Sequence, residues 1–351
     1  MRVVVAMSGG VDSSVAAGLL VEEGHEVIGV HMKLHDAEGA GPGHCCGLDD
    51  ALDARKVAEH LGIPFYVMNL REAFQRAVVD NFVRAYAAGL TPNPCVACNG
   101  VLKFDVLLTR SRALGAERLV TGHYAQTDGR TLRAAADGDK DQSYFLWPVR
   151  REALALARFP LGGFTKPEVR AHAARLGLAN ADKPESMEVC FLPDHDHAAL
   201  VARRHPEVDG AGEIVDEAGA VLGRHDGYWR YTVGQRRGLG LSGPSPLYVL
   251  RVEPDTRRVV VGPDAHLHAW GVDATGANWL RHPEPGEALT ARVRHRGARV
   301  PCVVRERGEG TFSLDLRAPA RAVAPGQSVV VYAGDEVVGG GIIRAAARAA
   351  A

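Results

Sequence analysis

Val3-Val4-Val5-Ala6-Met7-Ser8-Gly9-Gly10-Val11-Asp12-Ser13-Ser14 is the stretch that decides the fold. Its first four residues are apolar without alternation, which reads as a strand buried on both faces. The run breaks at a Ser-Gly-Gly turn, and apolar residues then recur at helical spacing over residues 13–23. Strand, glycine turn and helix N-terminus in that order make a phosphate site. Glycines let the backbone approach a polyanion, the first helical turn offers unpaired N–H groups, and the serines add hydroxyl donors. The Gly-Lys-Ser/Thr ending of a Walker A loop is missing, so a phosphate loop of another kind is expected.

The alternation continues outward. Residues 3–6, 26–31, 64–69 and 118–121 read as strands, and 13–23, 49–61, 71–88 and 101–114 as helices. This order predicts an α/β domain with a doubly wound parallel sheet. Thr165, Pro167 and Glu168 open a further helix with a cap, a first-turn proline and an acid. Beyond Pro206 the pattern becomes short alternating runs, at 212–216, 246–252, 257–262, 302–304 and 328–332, which read as antiparallel strands and hairpins. The expected division is 1–205 for the catalytic domain, 206–267 for a small β-rich domain and 268–346 for a closing β-barrel. The Ala/Arg tail after Ile343 is expected to fray.

Composition excludes a disordered or fibrous chain: of 351 residues 46% are hydrophobic, 24% charged and 6% aromatic. The formal net charge of -1 advertises no polyanionic partner. Six lysines (Lys33, Lys56, Lys103, Lys140, Lys166, Lys183) stand among 41 basic residues, so each lysine hints at a place where a compact ammonium is wanted. Met1-Arg2 leads straight into the first strand and no run approaches the roughly 18 apolar residues of a membrane span, so a cytoplasmic chain with no membrane partner is expected. In that reducing compartment the six cysteines favour chemical or metal-binding roles over structural bridges.

Two stretches present such cysteines: Thr91-Pro92-Asn93-Pro94-Cys95-Val96-Ala97-Cys98-Asn99, followed by Lys103, and Lys183-Pro184-Glu185-Ser186-Met187-Glu188-Val189-Cys190-Phe191. The prolines stiffen a loop that presents Cys95 and Cys98 just before a helix, whose N-terminus would lower a thiol pKa. A Cys-x-x-Cys pair with a distant third cysteine admits a thiol relay, three ligands of an iron–sulfur cluster, or a buried thiol pair.

The Ser8–Ser14 loop resembles that of the PP-loop ATP pyrophosphatases. Thr121-Gly122-His123-Tyr124-Ala125, Lys140-Asp141-Gln142-Ser143-Tyr144-Phe145-Leu146, Tyr231-Thr232-Val233-Gly234-Gln235-Arg236-Arg237-Gly238-Leu239, Pro325-Gly326-Gln327 and Gly339-Gly340-Gly341 narrow the resemblance to the MnmA family of tRNA-specific 2-thiouridylases. That resemblance implies sulfur insertion at C2 of the wobble uridine, with ATP cleaved to AMP and pyrophosphate. It implies that Ala6, Met7, Ser8, Gly9, Gly10, Val11, Asp12, Ser13, Met32 and Gly122 enclose ATP, with Asp12 either holding Mg²⁺ or capping its helix. Cys98 matches the nucleophile and Cys190 the persulfide carrier. Asn93, Pro94 and Cys95 would border the target base, while His123, Lys140, Asp141, Gln142, Arg294, His295 and Gln327 would contact tRNA. A sulfur-donor protein is the implied second partner, and a monomer is expected.

Cys95 stands where many family members carry Asp, so an acid or base role of that Asp does not transfer. Cys95, Cys98 and Cys190 would instead suit a [4Fe-4S] cluster with one open iron, and cluster and relay both stay open. Glu185-Ser186-Met187-Glu188 departs from the common Asp-Ser-Thr-Gly. Cys45 and Cys46 read as part of a Gly-rich loop closing over tRNA or as a metal site, and Cys302 as core. Residues 281–307 hold seven arginines against three glutamates, a local charge of +4, and the alternation Arg292-Val293-Arg294-His295-Arg296 predicts three arginines on one strand face. Arg230, Arg236 and Arg237 would add a second patch. A nitrogen-inserting ligase of the same superfamily and a non-catalytic ATP- or RNA-binding module are the alternatives.

Overall fold

The computed structural model describes residues 1–35, 48–184, 189–192 and 196–347. Cys45, Cys46 and Glu185-Ser186-Met187-Glu188 lie outside the described residues. The chain forms two compact units: Met1–Val79 with Pro94–His195 and Asp335–Val337, and Asp80–Asn93 with Asp196–Gly334 and Val338–Ala351.

In the first unit the order is β1 (Arg2–Ala6), α1 (Val11–Glu22), β2 (Glu26–Lys33), α2 (Leu48–His60), β3 (Phe65–Asn69) and α3 (Arg71–Phe74), followed by a π-helical stretch, Gln75–Val79. After α4 (Asp80–Ala87), which belongs to the second unit, come α5 (Pro94–Ala97), a second π-helical stretch (Cys98–Leu107), α6 (Leu108–Ala113), β4 (Arg118–Thr121), β5 (Gln126–Thr127), β6 (Leu132–Arg133), α7 (Arg151–Leu154), β7 (Ala157–Arg158) and α8 (Lys166–Arg175). Strands β3-β2-β1-β4-β7 form one parallel sheet, as the alternation predicts. Val3, Val4 and Val5 have no exposed surface, so both faces of β1 are covered. Val15, Ala16, Ala17 and Leu20 of α1 join Val3, Val5 and Val120 in one core cluster, each large side chain there contributing about 1.5–3 kcal/mol of burial. In such a sheet ligands bind beyond the carboxyl ends of the strands.

The second unit opens its β-rich part after α9 (His197–Arg204). Strands β8 (Gly212–Val215), β9 (Val221–His225), β10 (Tyr248–Glu253) and β11 (Arg258–Gly262) form a sheet in the order β10-β11-β8-β9. The pairing β11–β8 is parallel, which corrects the all-antiparallel expectation. Each hairpin is antiparallel within itself, but the inner strands of the two hairpins run the same way.

Strands β12 (His268–Trp279), β13 (Leu289–Arg292), β14 (Val300–Gly308), β15 (Thr311–Arg321), β16 (Ser328–Ala333) and β17 (Glu336–Ala347) follow in the order β12-β15-β14-β13-β16-β17, and β12–β17 pairing closes a six-stranded barrel. Cys302 is core here, and burial pushes its thiol up to about 12. Two expectations are corrected. Residues 344–347 of the tail continue β17, because β12 offers backbone partners as far as Gly271 opposite Ala347, while 348–351 lie outside the described residues. Nor does the 292–296 alternation make a strand face: β13 ends at Arg292, Val293 is buried, and a turn closed by Gly297 N–H on the Arg294 carbonyl carries Arg294, His295 and Arg296.

Candidate active site

Ala6 and Met7 at the end of β1, Met32 on β2, and Thr121 and Gly122 at the end of β4 all line one cavity of about 390 Å³. The glycine turn fits there for two steric reasons. Gly9 has a φ of 80°, and a Cβ on it would lie 2.3 Å from the Asp50 carbonyl oxygen of α2, a contact no other residue tolerates. A Cβ on Gly122 would lie 2.7 Å from Ser13 N, so β4 ends in direct backbone contact with the start of α1. No side chain caps α1 at Gly10. The Ser13 and Ser14 hydroxyls donate to the Gly10 carbonyl at 3.0 Å, and Ser8 N–H donates to Ser13 Oγ at 3.1 Å, which holds the loop open.

Asp12 is not the helix cap. Its Oδ1 accepts from Lys166 Nζ at 2.7 Å and from Tyr124 Oη at 2.9 Å, with the ammonium also 5.6 Å from the Tyr124 ring centre. Lys183 Nζ pairs with Asp50 Oδ1 and Asp53 Oδ2, both at 2.7 Å. Asn180 Nδ2 donates to the Gly9 carbonyl at 3.1 Å and to Ser14 Oγ at 2.9 Å. Sequence reasoning missed Asp50, Asn180 and the Asp12–Lys166 pair, which lie far apart along the chain. Lysine scarcity was the available signal for Lys166.

Helical structure begins at Pro94, earlier than residue 101. Cys95 therefore lies within α5 and is exposed, and half-buried Cys98 opens the π-helical stretch. The Cys98 thiol is pushed up to about 11, first by burial; the charge of Lys103 pulls it down and Cys190 adds to the rise. The direction is opposite to the expected lowering, and burial is its largest cause. Lys103 Nζ stands 3.4 Å from His123 Nε2, and His123 Nδ1 stands 2.6 Å from Thr121 Oγ1. Burial and the Lys103 charge hold His123 well below its ordinary range, so it is neutral. The ammonium can only donate to Nε2, which leaves the ring proton on Nδ1 to donate to Thr121.

The cavity is lined by all of the expected ATP residues except Gly9, together with Pro94, Cys95, Cys98, Cys190, His123, Lys140 and Gln142. Asp141 is buried, its Oδ1 accepting from the N–H groups of Ala135 and Ser143. Gln142 Oε1 accepts from Tyr124 N–H at 3.0 Å. Asn93, Arg294, His295 and Gln327 belong to the second unit, where Gln327 Nε2 donates to the Thr91 carbonyl at 2.8 Å and Arg294 is exposed. Among the described residues no three His, Cys, Asp or Glu side chains converge as a metal site requires. Cys95, Cys98 and Cys190 nevertheless line one and the same cavity.

Family models match the whole layout: the tRNA methyl transferase HUP domain over residues 1–194, the tRNA methyl transferase PRC-barrel domain over 200–263 and the aminomethyltransferase beta-barrel domain over 271–343. The chain is 52% identical over 358 residues to the tRNA-specific 2-thiouridylase MnmA of Geobacter metallireducens, covering 98% of this chain and 97% of that protein. It is 50% identical to the protein of the same name from Geotalea uraniireducens (97% and 94% covered) and 48% identical to that of Magnetococcus marinus (97% and 98% covered). The chain belongs to the MnmA family. Although the family models carry methyltransferase descriptions, the full-length relatives are named for thiolation, and the cysteine-lined cavity of this MnmA-family chain suits sulfur chemistry. Among the described residues no helix is long and apolar enough to cross a membrane.

Proposed function

We propose that this chain is a tRNA-uridine 2-sulfurtransferase, which uses ATP to adenylate the C2 carbonyl oxygen of the wobble uridine and replaces that oxygen with sulfur, releasing pyrophosphate and AMP. The observation that carries this reading is a single cavity lined both by the Ser8–Ser13 phosphate loop and by Cys98 and Cys190. A urea-like carbonyl is a poor electrophile with a poor leaving group, so activation and sulfur delivery must meet in one place.

The loop N–H groups and serine hydroxyls hold the phosphates of ATP, and Met32 and Gly122 border the nucleotide. Mg²⁺ brought with ATP neutralises phosphate charge, and Asp12 is the residue that would hold it. Cys190 carries a persulfide from a donor protein; Cys98 as thiolate then resolves it, leaving a Cys98–Cys190 disulfide. Burial opposes formation of that thiolate and Lys103 favours it. Pro94 and Cys95 border the target base with Asn93, and Lys140 and His123 approach the anticodon from the same cavity. Asp141 acts indirectly, by fixing Lys140 and Gln142, while Arg294, His295 and Gln327 serve tRNA from the barrel unit. Residues 1–205, 206–267 and 268–346 are the corresponding domains.

With ATP, Mg²⁺, unmodified tRNA and a persulfide donor, the purified protein makes 2-thiouridine and AMP in equal amounts. Cys98→Ser and Cys190→Ser each reduce thiouridine formation by at least about 10³-fold, as loss of a nucleophile does. Nucleoside analysis of the tRNA reads the outcome, and full activity in either variant would refute the relay.

A further inference from the structure

Lys103 lies five positions after Cys98. In an α-helix they would lie on different faces, since five residues turn through about 500° and end roughly 140° apart. Both belong to the π-helical stretch Cys98–Leu107, where hydrogen bonds join residue i to i+5 and residue i+5 falls close to one turn on. The wider helix therefore turns Lys103 to the side of Cys98, and both line the cavity with the phosphate loop.

The charge of Lys103 is also set apart from that of the neighbouring lysines. Lys166 is paired with Asp12, and Lys183 with Asp50 and Asp53. Lys103 is half-buried, and among the described residues its hydrogen-bond partner is the neutral imidazole of His123, with no carboxylate. A partly desolvated ammonium without a counterion is costly unless a ligand supplies the negative charge. Thr121, at the end of β4, fixes His123 and through it the direction of the ammonium.

We propose that Lys103 is the cation that receives departing AMP: its ammonium pairs with the phosphate of the adenylated uridine and takes up the charge that develops as the C2–O bond breaks. This role rests on the thiolation chemistry proposed above. The terminal sulfur of the Cys190 persulfide donates an electron pair to C2. The C2–O bond breaks with its pair left on oxygen, so AMP departs with one more negative charge on its phosphate. Cys98 thiolate then attacks Cys190 Sγ, and the pair of the broken S–S bond stays on the sulfur at C2, which becomes the thiocarbonyl as N3 is protonated. Lys103 is a catalytic residue in this scheme and His123 a positioning residue.

The test uses the full chain with ATP, Mg²⁺, unmodified tRNA and either a persulfide donor or sodium sulfide. Lys103→Met is expected to release pyrophosphate in a burst and then stall, with adenylated tRNA visible by mass spectrometry. Its thiouridine formation should fall by about 10²-fold, the loss seen when one donor to a developing anion is removed. Lys103→Arg keeps the cation and should recover most of that loss, which a purely structural role would not predict. Sulfide should not rescue Lys103→Met. Rescue by sulfide to the wild-type rate would overturn the proposal, because Lys103 would then act through the cysteines. Equal loss of pyrophosphate release and thiolation would also overturn it, placing Lys103 in adenylation. A wild-type chain that releases no AMP with tRNA would overturn the thiolation itself.

Discussion

Single residues in the first unit are placed by demands that compete with ordinary stability. His31 on β2 is buried beside the phosphate loop, with its Nδ1 2.9 Å from the Met7 carbonyl, and burial holds its pKa below the ordinary 6.5. The folded chain therefore binds this proton only at lower pH than the unfolded chain does. Stability contributed by neutral His31 is complete above about pH 6.5 and is lost as pH falls below it. Burial likewise lowers His123, His225 and the half-buried His197, so their losses add. Chemical denaturation between pH 7 and 5 should show stability falling with acid, and His31→Asn should reduce that slope by up to about 1.4 kcal/mol per pH unit. A slope unchanged by His31→Asn would mean that His31 takes up its proton equally in the folded and unfolded chains.

At the scale of elements, α8 is fully legible in the sequence: Thr165 at its N-cap, Pro167 in its first turn and Glu168, whose Oε2 accepts from Thr165 N–H at 2.7 Å. Because this cap also starts the helix that bears Lys166, Thr165→Ala should cost about 1 kcal/mol of stability in a urea titration and loosen the hold on Asp12. The parallel sheet is equally legible, since β1 and its neighbours carry uninterrupted apolar runs that only a sheet covered on both faces can bury. Legibility stops where hydrogen-bond register, rather than side-chain pattern, sets the element. Apolar spacing cannot tell an α from a π turn, so neither the early start at Pro94 nor the shared side of Cys98 and Lys103 was visible. Likewise, period-two alternation at 292–296 meets a turn at Gly297, and β17 outruns its frayed-looking Ala/Arg composition because β12 supplies backbone partners. The Lys183–Asp50–Asp53 and Asn180–Gly9 contacts join residues more than 100 apart, which local patterns do not encode.

For the whole molecule, a net charge of -1 conceals a basic tract whose arginines are not equivalent. Arg281 is spent internally, its two terminal nitrogens on the Glu287 carboxylate at 3.0 and 2.5 Å. Arg305 lies 3.5 Å from Asp315, and Arg299 stacks 3.8 Å over the Tyr332 ring and donates to the Gly334 carbonyl. Arg294 and Arg296 are exposed on the turn after β13. Formal charge therefore overstates what the tract offers to a phosphate backbone. Each phosphate contact releases counterions, so the dependence of log affinity on log salt counts the arginines that are engaged. Arg294→Ala should weaken tRNA binding and flatten that dependence by about one unit, whereas Arg281→Ala should leave the slope unchanged because its charge is already matched by Glu287. Binding titrations from about 50 to 200 mM salt separate the two cases. Equal slopes for wild type and Arg294→Ala would show that this turn does not carry the nucleic acid.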